Sequence, residues 1–141
     1  MKKWVTMAAL LAAVGCAAVE EKVMSTLLED YVAAQRALAA DDQEAAQQAF
    51  QALSEEVGED LKVVALEAAQ SDDLKLARTA FKTLSERLIE AELPKGLVVA
   101  YCPMADDGKG ASWIQPEGDI ANPYFGKEML ECGEVKRKGG S

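Results

Sequence analysis

Asp41-Asp42-Gln43-Glu44-Ala45-Ala46-Gln47-Gln48-Ala49-Phe50-Gln51-Ala52-Leu53-Ser54-Glu55-Glu56 opens with two acids. It then sets Ala46, Ala49, Phe50 and Leu53 at three- and four-residue steps, the spacing that lays one apolar stripe along a helix. Val57 continues the stripe and Gly58 stops it, while the leading aspartates suit the unpaired N–H groups of a helix start. Thirty-one residues on, the pattern returns: Asp72, Asp73, Ala77, Ala80, Phe81, Leu84, Ser85 and Glu86 stand at the spacing of Asp41, Asp42, Ala46, Ala49, Phe50, Leu53, Ser54 and Glu55. Upstream of each copy the register holds more weakly, with Val32 matching Val63 and Ala37 matching Ala68.

Each copy therefore begins with another helix. Leu27, Tyr31, Ala34 and Leu38 form a stripe over about Glu20 to Ala40, and Leu61, Val64, Ala65 and Ala68 form one that opens at Asp60. Ser71-Asp72-Asp73 caps the fourth helix, which runs on through Leu88 toward Pro94-Lys95-Gly96. Two helical hairpins result, each with an apolar face that the other can cover. The expected fold class is mainly all-α: an antiparallel four-helix bundle over residues 17–93, closed rather than an open array because two copies are too few for a solenoid. Phe50 and Phe81 read as core, and the many inward alanines imply close helix approach.

Past Pro94 the pattern changes. Leu97-Val98-Val99-Ala100-Tyr101 is a short β-prone run, followed by Cys102-Pro103-Met104 and a polar loop from Asp106 to Gly110. Trp113-Ile114 re-enters the core, Asn122-Pro123 starts a turn through Tyr124, Phe125 and Gly126, and Lys127 to Cys132 reads as one or two helical turns ended by Gly133. Tyr101, Trp113, Tyr124 and Phe125 would pack this small irregular lobe, residues 94–135 with one short strand and one short helix, onto the bundle. Lys136-Arg137-Lys138 reads as part of a flexible, solvated basic tail, residues 136–141.

The chain has 141 residues, a formal charge of −9 and no histidine. That balance argues against a nucleic-acid surface, which needs clustered Lys and Arg. Without histidine no Ser-His-Asp or Cys-His arrangement is possible, Asp107-Gly108-Lys109-Gly110 is a turn rather than a phosphate cradle, and Cys-x-x-Cys is missing. The expectation is a protein that is not an enzyme. Residues 1–16 read as an address: Lys2 and Lys3, an apolar run from Val5 to Val14, then Ala13-Val14-Gly15-Cys16. That ending resembles a bacterial lipobox, which implies lipid on Cys16 and a domain exported and held at a membrane surface, facing the periplasm or cell exterior. The alternative is a cleaved secretory signal with no lipid.

Cys102 and Met104 are two apart in an extended segment, and Met129 and Cys132 three apart on a helical turn, so each pair shares a face. Brought together they make a pocket of two thiolates and two thioethers, donors that select Cu(I) or Ag(I). Zinc returns as a candidate if Asp106, Glu128 or Glu131 completes a site on the two cysteines. Export raises a competing reading, a Cys102–Cys132 disulfide with Met104 and Met129 as core filler, which stabilises the fold by about 3–4 kcal/mol on the chain-entropy model. Both readings stay open, and they can be redox states of one site.

Tyr101-Cys102-Pro103-Met104, Trp113-Ile114-Gln115, Asn122-Pro123-Tyr124-Phe125-Gly126-Lys127, Met129 and Cys132-Gly133-Glu134-Val135 together resemble an uncharacterised helical domain of exported bacterial proteins. That domain is also found attached to the periplasmic adaptor subunits of heavy-metal efflux systems of the CusB type. The resemblance implies a link to copper or silver handling and an efflux adaptor as partner. The leading expectation is therefore a lipoprotein that binds Cu(I) or Ag(I) in heavy-metal efflux or resistance, with a non-metal structural or interaction lipoprotein fixed by the Cys102–Cys132 disulfide as the alternative.

Overall fold

The computed structural model describes residues 12–140, with side chains from residue 17 onward. The expected leader up to residue 11 and the side chain of Cys16 lie outside the described residues. The fold is mainly helical with a small three-stranded sheet. Four helices, α1 (Ala12–Ala39), α2 (Gln43–Glu56), α3 (Glu59–Ala69) and α4 (Leu74–Leu88), precede the strands β1 (Leu97–Cys102), β2 (Ala111–Pro116) and β3 (Glu134–Lys138). Successive helices pack against one another, and α4 returns to α1 with β2 wedged against both.

The stripes read from sequence are the buried faces. Tyr31, Ala34, Leu38, Ala46, Phe50, Leu53, Ala65, Ala68, Ala77, Phe81 and Leu84 are fully enclosed, and burying the large ones stabilises the fold by about 1.5–3 kcal/mol each. Asp42 and Asp73 are both N-caps; their carboxylates accept the backbone N–H of Ala45 at 3.0 Å and of Lys75 at 2.8 Å. The repeat therefore preserves the cap as well as the stripe. Gly58 caps α3 rather than merely ending α2, and Asp41 caps nothing. It sits at φ 54° in the left-handed region, and its carboxylate reaches Arg78 at 2.6 Å and the backbone N–H of Lys127 at 3.0 Å.

The C-terminal lobe holds more strand than expected. β1 is central, flanked antiparallel by β2 and β3. Lys136, Arg137 and Lys138, expected in a flexible tail, instead form most of β3. Its side chains are all exposed, and its backbone pairs with β1 through Val98↔Lys138 and Val99↔Arg137. Arg137 adds hydrogen bonds to the carbonyls of Ile89 and Ala91 just past α4. The expected helix over Lys127 to Cys132 shrinks to a 3-10 turn at Gly126–Glu128, and Met129 leaves helical space at φ −142°, ψ 53°. The backbone N–H of Asn122 takes the carbonyl of Leu130 at 2.8 Å. That bond closes a loop where a helix would need the segment to bond to itself.

One hydrogen-bond chain joins helices to sheet. The N–H of Ile114 in β2 donates to the Tyr31 hydroxyl at 3.1 Å, Tyr31 and Ser85 oxygens meet at 2.5 Å, and the Ser85 hydroxyl donates to the Phe81 carbonyl at 2.7 Å. Because Ser85 already gives its proton to Phe81, Tyr31 is the donor to Ser85. The Tyr31 ring stacks on Phe81 at 4.7 Å between centroids, and Tyr124 meets both Phe81 and Trp113 edge-on at 5.9 Å. Tyr124 thus seats the lobe on α4, with Trp113 against it, while Tyr101 lies under the Lys136 ammonium at 5.4 Å.

Candidate functional site: the paired cysteines of the C-terminal lobe

Cys102 is the last residue of β1, opposite Ala111, and is fully buried. Strand alternation puts it on the face of Val98 and Ala100. Cys132 is brought to it by the loop that returns from β2. Gln115 organises the first half of that loop: its carbonyl oxygen accepts from the Trp113 indole at 2.9 Å and from the N–H of Ala121 at 3.1 Å, and its amide donates to Asp119 O at 2.8 Å. Asn122, also fully buried, organises the second. Its amide donates to Cys132 O at 2.7 Å, and its side-chain oxygen accepts the N–H of Tyr124 at 2.8 Å.

Two glycines make these approaches possible. At Gly133 (φ 147°) an added Cβ would lie 2.8 Å from the Trp113 ring and 3.1 Å from Tyr101 O, so the chain turns from Cys132 into β3 only without a side chain. At Gly126 (φ 60°) a Cβ would fall 2.0 Å from the Asp41 carboxylate. Arg78 sits behind it, donating to Pro123 O at 2.8 Å and Leu38 O at 3.0 Å as well as to Asp41. This junction of three segments holds the loop that carries Cys132 onto the helices.

The two sulfurs stand 2.6 Å apart. A disulfide needs about 2.05 Å, a small rotation away. Two thiolates at about 2.3 Å from one tetrahedral ion would stand roughly 3.8 Å apart, so a shared metal requires the pair to part by more than an ångström. As dithiol, the neighbouring Cys102 thiol and then partial burial raise the pKa of Cys132 above the usual thiol range. At neutral pH it is a thiol rather than a thiolate and a weak nucleophile.

Met104 does not join the cysteines by the spacing expected. Extended backbone ends at Cys102 and Met104 has turned to φ −85°, ψ −17°; the residue is 54% exposed. It lines a groove of about 230 Å³ with Lys75, Lys82, Asp106, Tyr124 and Phe125, which neither cysteine touches. There Lys82 binds Glu86 at 2.8 Å and Asp106 at 3.3 Å, and Glu86 before Asp106 holds its ammonium above the usual lysine range. Met129 is half-buried at the non-helical position before Cys132, and its carbonyl accepts the Cys132 N–H at 3.1 Å. Among the described residues no group of three or more Cys, Asp or Glu is placed to hold a metal ion; Asp106 faces Lys82 instead. Met104 therefore lies in a groove apart from the cysteine pair.

Gln115, Asn122 and the Asp41–Arg78 pair were not singled out from sequence as site residues. Asn122-Pro123 marked a turn, and nothing in the spacing showed that its amide would hold Cys132. Among the described residues no helix is long and apolar enough to cross a membrane. Comparison with protein-family models, curated proteins and solved structures gives no match.

Proposed function

We propose that the chain is an exported, non-enzymatic interaction module, anchored to a membrane through lipid on Cys16, whose C-terminal lobe is locked by a Cys102–Cys132 disulfide. Its helices form an antiparallel four-helix bundle of two repeated hairpins. The observation that carries the reading is the 2.6 Å approach of two sulfurs from segments thirty residues apart, fixed by Asn122 on one side and by β1 on the other. Sulfurs so placed oxidise to a cystine wherever the compartment is oxidising. The test is thiol counting by mass spectrometry on protein taken from the exported compartment: one intramolecular cystine supports the lock, and two free thiols overturn it.

The soft-metal reading is the second, because the two cysteines it names do converge. In the reduced protein Cys102 and Cys132 would serve as a two-thiolate site for Cu(I) or Ag(I), with the sulfurs parting to admit the ion and Met129, three residues before Cys132, as the thioether. A heavy-metal efflux adaptor is the partner this reading carries. Cu(I) titration of the reduced protein tests it: binding no tighter than that of the Cys102→Ser, Cys132→Ser variant removes it.

A further inference from the structure

A groove of about 840 Å³ runs along α1, away from either cysteine's lining. Met24, Leu28 and Val32, four residues apart, share one face of the helix, and Leu93 and Leu97 form the opposite wall. The volume falls within the roughly 300–1,000 Å³ of small-molecule sites, which are also apolar with few polar groups. From Glu21 to Arg36 the lining extends fifteen residues of α1, about 22 Å at the helical rise, so the shape is long and narrow. Its polar rim is mostly acidic: Glu21, Glu29 and Glu92 against the single cation Arg36 at the far end. None of the three carboxylates forms an ion pair among the described residues, and Glu29 accepts only the Ser25 hydroxyl at 3.3 Å.

We propose that this groove binds a single-chain cationic amphiphile. The alkyl tail lies on Met24, Leu28, Val32 and Leu97, and the ammonium sits at the Glu21 end, away from Arg36, with Glu29 further along the rim. An anionic head would meet three carboxylates for one guanidinium, and a neutral one would leave the rim unused. The site is independent of the cysteine pair.

Calorimetric titration of the full chain with dodecyltrimethylammonium, dodecyl sulfate and dodecyl maltoside, each below its micelle concentration, tests the assignment. The cation should bind 1:1 and at least tenfold more tightly than the sulfate. Glu21→Gln, Glu29→Gln and Glu92→Gln should each weaken it about two- to fivefold, the range for exposed charge pairs. The control triple Glu44→Gln, Glu55→Gln and Glu67→Gln, which removes three charges from exposed positions outside the groove, more than any single groove variant, should leave binding unchanged. Val32→Asp should abolish it, and Met24→Asp, on the more exposed turn, replaces that variant if it does not fold. Equal binding of the sulfate, equal loss in the control triple, or tighter binding by a Leu/Lys amphipathic helical peptide that displaces the amphiphile would overturn the proposal.

Discussion

Tyr31→Phe removes one oxygen atom and leaves the stack on Phe81 in place. Two buried groups then lose their partner: the Ile114 N–H, which donates to that oxygen at 3.1 Å, and Ser85, which receives its proton at 2.5 Å. A buried donor left unpaired costs about 1–3 kcal/mol, and the lost Tyr31–Ser85 bond adds about 1 kcal/mol. The expected destabilisation is therefore about 2–4 kcal/mol. At a urea slope near 2 kcal/mol/M this lowers the unfolding midpoint by about 1–2 M. Ser85→Ala should cost about 1–2 kcal/mol, because Tyr31 keeps Ile114 and loses only its acceptor. The double variant should fall short of the sum by at least 0.5 kcal/mol, as coupled neighbours do. Urea unfolding followed by tryptophan fluorescence and by far-ultraviolet circular dichroism measures all three. A Tyr31→Phe loss below about 0.5 kcal/mol, or strict additivity, would refute the idea that this chain of hydroxyls joins sheet to helices.

Cys102→Ser with Cys132→Ser should lower stability of the oxidised protein by about 3.5–4 kcal/mol, as expected for closing a loop of this length; under reducing conditions most of that difference should vanish in the same urea titration. Gly126→Ala forces a Cβ into the Asp41 carboxylate at a positive φ and should cost about 2–4 kcal/mol, read as a thermal midpoint lowered by several degrees. The backbone N–H of Lys127, followed by Arg78, holds the Asp41 carboxyl below its ordinary range. A lowered folded pKa gives stability that is complete above the unfolded value, near 3.9, and is lost as pH falls through the folded one. Asp41→Asn should therefore flatten the acid limb of the stability profile below about pH 4, and an unchanged limb would remove Asp41 from that account. In the reduced protein, iodoacetamide labelling of Cys132 should rise only well into alkaline pH, and Cys102→Ala should move that rise to lower pH.

The helical part of the fold was legible because its signals are local. A cap and a stripe are written within one helix, and the repeat wrote both twice, which is why Asp42, Asp73, Phe50 and Phe81 take the roles the spacing implied. The sheet was half hidden. β1 is Val-rich and apolar, but β3 is Glu-Val-Lys-Arg-Lys, a composition that reads as solvated tail; it is a strand because β1 offers a free edge, and a charged edge strand is one that resists further pairing. Asp41 looked like a cap because its repeat partner precedes one, yet its left-handed backbone aims it at Arg78 and Lys127, 37 and 86 residues away. Cys102 and Cys132 were expected to meet under either reading, and their sulfurs stand 2.6 Å apart. The departure of Met104 followed from a turn that begins one residue too early for the strand rule to hold.

The junction at Tyr31 also sets an order of events for the folding chain. Its hydrogen-bond partners lie 54 and 83 residues further along, and β3 closes on β1 across 33 to 40 residues that include β2. The hairpins are built from neighbours in sequence, so they form early and cheaply in chain entropy, whereas the lobe must wait for distant contacts. Until β2 arrives, Tyr31, Phe81 and Ser85 present a polar-edged aromatic surface to solvent. A chain halted before β2 would therefore be helical, with the Tyr31 hydroxyl still lacking its β2 partner.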